Sequence, residues 1–169
     1  MSLAAFDFDN TITESTISGD EVVFNMGDAS RVLALRTLFM DLHKSGVILI
    51  VVSLNFRKTI EDVLAEYGLL NFFLKIYDRN NVWKEDIGTK QKFMEFLIAY
   101  NELNPALCVL VDDQASNLIN APCNVVQIQE VGGINMTHDH QIRKIFQLPV
   151  FAEKNHKSSV ECRYERIST

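Results

Sequence analysis

Glycine and proline are scarce in this chain, with 7 Gly and 3 Pro among 169 residues, and no stretch is repetitive. This composition excludes fibrous and low-complexity classes and gives no sign of a repeat architecture. Since 47% of the residues are hydrophobic, the chain can bury one core, but it is too short for two ordinary domains. We therefore predict one globular domain over residues 1–150 and a C-terminal tail over residues 151–169.

The chain also lacks the features of a secreted or membrane protein. Its three cysteines, Cys108, Cys123 and Cys162, form no C-x-x-C pair, which disfavours a disulfide framework and a zinc site. No positively charged start with an apolar run, as in a signal peptide, precedes the acidic segment at residues 6–9. The longest apolar run, residues 47–54, is far below the roughly 20 residues of a membrane-spanning helix. We therefore expect a soluble cytoplasmic protein without a membrane partner.

Positive charge is in short supply as well. The 16 Lys and Arg residues are outnumbered by 22 Asp and Glu, which gives a formal net charge of -6 at pH 7. A general nucleic-acid-binding protein would carry a basic face, so we expect no nucleic-acid partner. A charged substrate would still fit a local cationic pocket.

Short apolar runs bounded by polar residues alternate with segments of helical spacing. The runs cover residues 3–8, 47–52, 73–77, 107–111 and 124–128. Their near-continuous apolarity is typical of strands buried on both faces. The intervening helices have suitable N-caps in Asp28, Asn55 and Thr89, and suitable ends in Gly46 and Gly68. The alternation predicts a three-layer, Rossmann-like α/β domain around a central parallel sheet.

Acidic and hydroxyl side chains follow three of the predicted strands. Asp7 and Asp9 follow the first strand, Ser53 follows the second, and Asp112 and Asp113 follow the fourth. Ligands of such sheets bind beyond the carboxyl ends of the strands, so we expect these side chains to converge. Four carboxylates brought together repel one another unless a cation or a lysine compensates them, and carboxylate oxygens favour Mg²⁺. We therefore predict a bound Mg²⁺ ion.

Residues 6–11, Phe-Asp-Phe-Asp-Asn-Thr, form a D-x-D-x-T arrangement at a strand end. Because alternate residues of an ideal strand share a face, a catalytic role requires the two carboxylates to turn apart, one towards a metal and the other towards a leaving group. The alternative is an ordinary strand exit with solvated aspartates. For Asp112 and Asp113 the alternative is a helix N-cap, which would account for only one of the pair.

Two further groups are candidates for binding an anion. Ser53 ends a strand just before the helix that Asn55 is expected to cap, where a hydroxyl and backbone N–H groups would form an anion site. The alternative is that Ser53 only marks the strand boundary and Asn55 is only a cap. Among Lys84, Lys90 and Lys92 we choose Lys90, because the first helical position would present its ammonium group to the functional edge of the sheet. Surface solvation is the alternative for each lysine.

Taken in order, these motifs resemble the four signature motifs of the haloacid dehalogenase (HAD) superfamily. The resemblance spans residues 3–117 and rests on Asp7 and Asp9, then Ser53, then Lys90, then Asp112 and Asp113. The downstream stretch over residues 125–137 is similar to the tail of the magnesium-dependent phosphatase family within that superfamily. The resemblance implies a HAD-like fold and an Mg²⁺-dependent phosphatase that acts through an aspartyl-phosphate.

The resemblance also implies a role for each residue. Asp7 is expected to be the nucleophile and Asp9 the acid and base in turn, while Ser53 and Lys90 bind the phosphoryl oxygens. The further candidates for substrate binding are Asn10, Thr11 and Asn55. The expected metal ligands are Asp7, Asp9 through its main-chain carbonyl, and Asp113 supported by Asp112, and which acid of that last pair touches the metal directly is left open.

Little room remains for the cap domain that many members of this superfamily carry. Residues 11–28 can hold only a hairpin that folds at residues 18–20, and the segment from 53 to 90 is filled by a helix and a strand. We therefore expect a small hairpin flap, no cap and an open site, suited to a phosphoprotein or another large phosphorylated substrate. The alternatives are a small sugar or nucleotide phosphate, and a site covered by a neighbouring subunit of a homo-oligomer.

A rival of a different class is a non-catalytic phosphoacceptor or binding module. Receiver domains also combine a parallel sheet, clustered acids, a hydroxyl, a lysine and magnesium. Their order differs, because a receiver would carry its accepting aspartate at the strand end where this chain has Ser53.

Overall fold

A five-stranded parallel sheet lies at the centre of the protein. The structure is a computed structural model that describes residues 1–17, 23–82, 87–129 and 132–150. The strands in chain order are β1 (Ser2–Phe6), β2 (Ser15–Ile17), β3 (Val23–Asn25), β4 (Val47–Val52), β5 (Lys75–Tyr77), β6 (Cys108–Asp112) and β7 (Asn124–Gln127). The central sheet has the order β5-β4-β1-β6-β7, and all neighbouring strands are parallel. The predicted α/β class is therefore confirmed.

Helices connect the strands and cover the sheet. They are α1 (Ala29–Lys44), α2 (Arg57–Glu66), α3 (Arg79–Val82), α4 (Lys90–Tyr100), α5 (Ala115–Leu118) and α6 (Met136–Ile145). Two predicted N-caps are confirmed, since the Asp28 carboxylate accepts the Arg31 N–H at 2.8 Å and the Thr89 hydroxyl accepts the Lys92 N–H at 3.3 Å. None of the described helices has the length and apolarity that a membrane span requires.

The predicted cap of α2 is wrong. The N-cap position is Phe56, so Asn55 lies one residue too early to cap the helix. The Asn55 side-chain carbonyl instead accepts the N–H of Phe56 at 2.7 Å, and its amide group is directed across the sheet edge. Asn55 thus contacts Asp9, 46 positions away in the chain, and does not cap the helix.

Two apolar layers pack on the two faces of the sheet. Along β1, Ala4 and Phe6 join the layer that includes α1, α2 and α6, whereas Leu3 and Ala5 join the layer that includes α4. All four side chains are buried. The strand is therefore apolar on both faces, which explains the continuous apolar run in its sequence.

The segment after β1 contains the two paired strands of the predicted hairpin. Strands β2 and β3 pair antiparallel, with Ser15 opposite Asn25 and Ile17 opposite Val23. The predicted turn at residues 18–20 lies outside the described residues, as do Lys84 and the predicted tail over residues 151–169. Between β4 and α4 the described chain holds only α2, a short 3₁₀ turn, β5 and α3, so these residues contain no inserted cap domain.

Phe39 is the position at which the core of the α1 face is most easily tested. It is fully buried, and its ring centroid lies 5.2 Å from that of Phe6 and 5.1 Å from that of Phe73. We expect Phe39→Ala to lower the free energy of unfolding, measured in urea, by about 3–5 kcal/mol, because it removes buried surface and leaves a cavity. Leu33→Ala on the same helix, where the side chain is 63% exposed, is the matched control and should change it by less than about 0.5 kcal/mol. Equal losses in the two variants would contradict this account of the core.

Candidate active site

The carboxyl ends of three adjacent strands bring the candidate residues together. β1 lies between β4 and β6, and Phe6 is level with Val51 on one side and Val111 on the other. The N–H of Asp7 continues this ladder by donating to the carbonyl of Val111 at 2.8 Å. Residues that follow these three strands therefore lie at one edge of the sheet, as the sequence predicted.

A tight turn separates the two acids of the D-x-D-x-T arrangement. Asp7 and Asp9 are both extended, but Asn10 has φ 55° and ψ 11°, a left-handed conformation that asparagine tolerates better than most residues. The N–H of Asn10 donates to the hydroxyl of Thr13 at 2.9 Å, which closes the turn. Asp7 consequently contacts Lys90, whereas Asp9 contacts Asn55. The divergence that a catalytic pair requires is present.

Lys90 lies between two carboxylates in the interior of the protein. Its Nζ atom is 2.8 Å from Oδ1 of Asp7 and 2.6 Å from Oδ2 of Asp112, and only 2% of its side chain is exposed. Burial opposes the charge of Lys90, but the two carboxylates offset it and raise the pKa of Lys90 above its ordinary value. Lys92 is exposed, and Lys84 lies outside the described residues. The structure thus places Lys90, the lysine preferred from the sequence, beside two of the candidate acids.

Asp7 is held by its own turn and by Lys90. Its Oδ1 atom accepts the N–H of Phe8 at 2.7 Å in addition to the contact with Lys90. Burial raises the pKa of Asp7, Lys90 lowers it and Asp112 raises it, and together with the hydrogen bonds these effects raise the pKa to about 7. The carboxyl group is therefore fixed in orientation and placed in a poorly solvated position.

The two adjacent acids after β6 have different surroundings. Asp112 is fully buried, and its oxygens accept the Lys90 ammonium group, the N–H of Gln114 at 2.9 Å and the side-chain amide of Asn117 at 2.9 Å. Asp113 is half-buried, and its Oδ2 atom accepts the side-chain amide of Asn10 at 3.4 Å. Burial and the charge of Asp112 raise the pKa of Asp113. Both oxygens of Asp112 already accept hydrogen bonds, which favours Asp113 as the direct metal ligand of the pair.

The set of acids fits a hard divalent cation. Asp7, Asp112 and Asp113 each offer a carboxylate oxygen, and these oxygens all lie within 4.8 Å of one another. When ionised, the three carboxylates and the Lys90 ammonium group leave a net charge of −2, and oxygen ligands are those that Mg²⁺ prefers. Within the described residues, the carboxyl group of Asp9 lies outside this set. The expectation that Asp9 contributes its main-chain carbonyl to the metal stays a prediction.

The remaining candidates lie around this set of acids. Ser53 is fully buried at the end of β4, and its hydroxyl oxygen accepts the N–H of Asn55 at 3.1 Å. The amide group of Asn55 donates to both oxygens of Asp9, at 3.2 and 3.3 Å. Thr11 is also fully buried, but among the described residues its hydroxyl has no hydrogen-bond partner, so it makes no such bond to the other candidates. Thus Ser53, Asn55 and Asp9 form one connected group, and Thr11 is not part of it.

Several solved structures resemble this chain in fold at low sequence identity. No family model and no curated protein matches the sequence. An uncharacterised protein from Corynebacterium glutamicum is 18% identical with a TM-score of 0.60, covering 88% of this chain and 97% of its own. The cobalt-bound deoxy-D-mannose-octulosonate 8-phosphate phosphatase from Haemophilus influenzae is 12% identical with a TM-score of 0.55, covering 87% of this chain and 88% of its own. The 3-deoxy-D-manno-octulosonate 8-phosphate phosphatase from Moraxella catarrhalis, in complex with magnesium, phosphate and KDO, is 15% identical with a TM-score of 0.51, covering 87% of this chain and 86% of its own.

The chain has the haloacid dehalogenase fold. The match extends over most of each neighbour as well as most of this chain, which agrees with a domain of this fold that lacks an inserted cap. The fold class expected from the sequence is therefore confirmed.

Three residues that support the candidate site were not recognised from the sequence. Arg31 donates to the main-chain carbonyls of Met26, Ile12 and Gly132 at 2.8–3.0 Å, so it joins the start of α1 to the turn after β1. Gly133 has φ 64°, and a Cβ atom there would collide with the main-chain carbonyl oxygens of Thr11 and Thr13. This position therefore requires glycine. Asn117 holds Asp112. The Gly-Gly pair was a usable signal for close backbone approach, whereas Arg31 looked like an ordinary helix-surface residue.

The buried ammonium group of Lys90 can be tested through stability. We expect Lys90→Met to lower the free energy of unfolding of the metal-free protein by roughly 3–5 kcal/mol, because it leaves the carboxylates of Asp7 and Asp112 buried without their partner. The matched control is Lys92→Met, an exposed position on the same helix, which should change it by less than about 0.5 kcal/mol. Urea unfolding of both variants measures the difference, and indistinguishable midpoints would refute the structural role of Lys90.

Proposed function

We propose that the protein is a Mg²⁺-dependent phosphomonoester hydrolase that acts through an aspartyl-phosphate on Asp7. The observation that carries this proposal is the separation of the two acids after β1. Asp7 contacts Lys90 and belongs to the set of three acids that could hold a metal ion, while Asp9 is directed towards Asn55. One acid is thereby placed to attack phosphorus and the other to exchange protons.

The first step transfers the phosphoryl group to Asp7. A carboxylate oxygen of Asp7 attacks phosphorus as the bond from phosphorus to the leaving oxygen breaks, and Asp9 gives its proton to that oxygen. Lys90 and the hydroxyl of Ser53 would bind the non-bridging oxygens, with the exposed Asn10 at the rim of the site. The hydrogen bond from the N–H of Phe8 keeps the attacking carboxyl group in one orientation.

The second step returns the enzyme to its starting state. Asp9, now ionised, takes a proton from a water molecule whose oxygen attacks the phosphorus of the acyl phosphate. The bond between phosphorus and the Asp7 oxygen breaks, which regenerates the carboxylate and releases inorganic phosphate. One positioned carboxyl group thus serves both steps in turn.

The metal requirement follows from the charge of the site. Asp7, Asp113 and the main-chain carbonyl of Asp9 would hold Mg²⁺, with Asp112 supporting them through its bonds to Lys90 and Asn117. When bound, the ion neutralises negative charge on the phosphoryl group and on the carboxylates that face it. Without the ion, the Asp7 carboxylate and the phosphoryl group would repel each other, and of the nearby groups Lys90 would supply the compensating positive charge.

The preferred substrate is a phosphoprotein or another large phosphorylated molecule. No cap covers the sheet edge in the part of the chain that the structure describes, so a bulky substrate has access. A small sugar phosphate is the second candidate, because the structurally similar Moraxella catarrhalis protein is a phosphatase of a sugar-acid phosphate bound with magnesium, phosphate and KDO. Cover from a neighbouring subunit of a homo-oligomer would favour the smaller substrate. Relative kcat/KM values for phosphopeptides, sugar phosphates and nucleotides would decide between the two classes.

The nucleophile is tested by Asp7→Asn. We expect this change to lower the Mg²⁺-dependent hydrolysis of p-nitrophenyl phosphate by at least about three orders of magnitude, because the amide cannot form the covalent intermediate. Asp62→Asn is the matched control, since the Asp62 side chain is 63% exposed in a surface ion pair with Lys58, and it should retain activity. Removal of Mg²⁺ with EDTA should abolish turnover in the control as well. Undiminished hydrolysis by Asp7→Asn would refute the assignment.

The second step is tested by Asp9→Asn. Any phosphoenzyme formed by this variant should persist longer than that of the wild type, because asparagine cannot take the proton from water. Rapid acid quenching after mixing with ³²P-labelled acetyl phosphate, whose leaving group needs little protonation, measures the lifetime of the intermediate. An unchanged lifetime would argue against Asp9 as the base. Stoichiometric labelling of the wild type without turnover would instead support a phosphoacceptor.

A further inference from the structure

Asn55 links the loop after β4 to the second acid of the D-x-D-x-T arrangement. Its side-chain Nδ2 atom lies 3.2 Å from Oδ1 and 3.3 Å from Oδ2 of Asp9, a contact between residues 46 positions apart in the chain. Asn55 is half-buried and Asp9 is half-buried. The contact therefore forms at the mouth of the site, where a leaving group would pass.

The orientation of the Asn55 amide group is set by its neighbours. The N–H of Phe56 donates to Oδ1 of Asn55 at 2.7 Å, so that end of the group must be the carbonyl. The opposite end is then the NH₂ group, which can only donate, and it faces the Asp9 carboxyl group. Asn55 is consequently a donor to Asp9 and not an acceptor from it.

The main chain of Asn55 is fixed on both sides. Its N–H donates to the hydroxyl of Ser53 at 3.1 Å, and its carbonyl accepts the N–H of Arg79 at 3.2 Å. Asp9, by contrast, precedes the left-handed residue Asn10 in a short turn. A rigidly held donor therefore restrains the side chain of an acid that lies in an irregular segment.

We propose that Asn55 is a positioning residue that holds the Asp9 carboxyl group over the leaving-group side of the site, a role that rests on the proposed function. With this bond in place, the Asp9 carboxyl group contacts Asn55 and lies outside the cluster formed by Asp7, Asp112 and Asp113. Proton transfer depends steeply on placement, because a misplacement of about 1 Å can lower a rate about 100-fold. Without the Asn55 amide group, Asp9 loses this restraint and protonates the leaving oxygen less efficiently.

A positioning role predicts a dependence on the leaving group. An acidic phenol departs without help, whereas an alcohol or unsubstituted phenol needs a proton in the transition state. We expect Asn55→Ala to lower kcat/KM for phenyl phosphate about 10- to 100-fold, but to change kcat/KM for p-nitrophenyl phosphate by less than about 3-fold. The affinity for inorganic phosphate, measured as a competitive inhibitor, should stay within about 2-fold of the wild type, since the phosphoryl-binding groups are untouched.

Two controls make the experiment decisive. Asn71→Ala changes an exposed asparagine that precedes β5, at the opposite edge of the sheet, and should leave both substrates unaffected. In an Asp9→Asn background, the addition of Asn55→Ala should cause no further loss with phenyl phosphate, because the group that it positions is already gone. Circular dichroism and thermal unfolding of each variant confirm that it is folded.

The outcomes separate this inference from the proposed function. A uniform loss with both substrates, together with weaker phosphate inhibition, would overturn the positioning role and favour Asn55 as a direct phosphate ligand. Additive losses in the double variant would also overturn it. Absence of Mg²⁺-dependent hydrolysis by the wild type would overturn the proposed function first and the role of Asn55 with it.

Discussion

The contact of the buried Lys90 ammonium group with Asp7 and Asp112 is the interaction on which the site depends. All three side chains are almost removed from solvent, at distances of 2.8 and 2.6 Å. Charges at such depth are costly unless they are paired, and the removal of one partner is worse than the loss of the whole group. The helix start at Thr89 and the ends of β1 and β6 must therefore stay in register for the site to persist.

That register comes from the order of the sheet. β1 lies between β4 and β6, and its apolar side chains pack on both faces, so its end is anchored on every side. Residues separated by about 100 positions in the chain meet there because parallel strands end at one edge. The turn at Asn10 then directs Asp9 away from Asp7. A continuous strand would instead have aimed both acids at the same face, where a single role would have been open to them.

The apolar patterns of the sequence predicted most of the sheet and its edge, because buried residues are mostly apolar. Apolar runs located the five strands of the central sheet, and Lys90 stood out among three lysines through its place at a helix start. Asn55 was misjudged, because a residue that is suited to capping carries no local signal for a partner 46 positions away. Arg31 was missed for a similar reason: its partners are main-chain carbonyls, which every residue type possesses.

Four aspartates at one sheet edge are given four different environments. Asp7 is buried against an ammonium group, and Asp112 accepts hydrogen bonds on both oxygens. Asp113 is half-buried beside the exposed Asn10, and Asp9 receives an amide donor. Since the side chains are chemically identical, any difference in their roles must come from these surroundings. In the proposed function, the acids that share one small volume would bind the metal, and the acid that lies outside that cluster would exchange protons. The groups that surround each aspartate determine the properties of its carboxyl group. Substitution of those neighbouring groups should therefore alter function as much as substitution of the aspartates themselves.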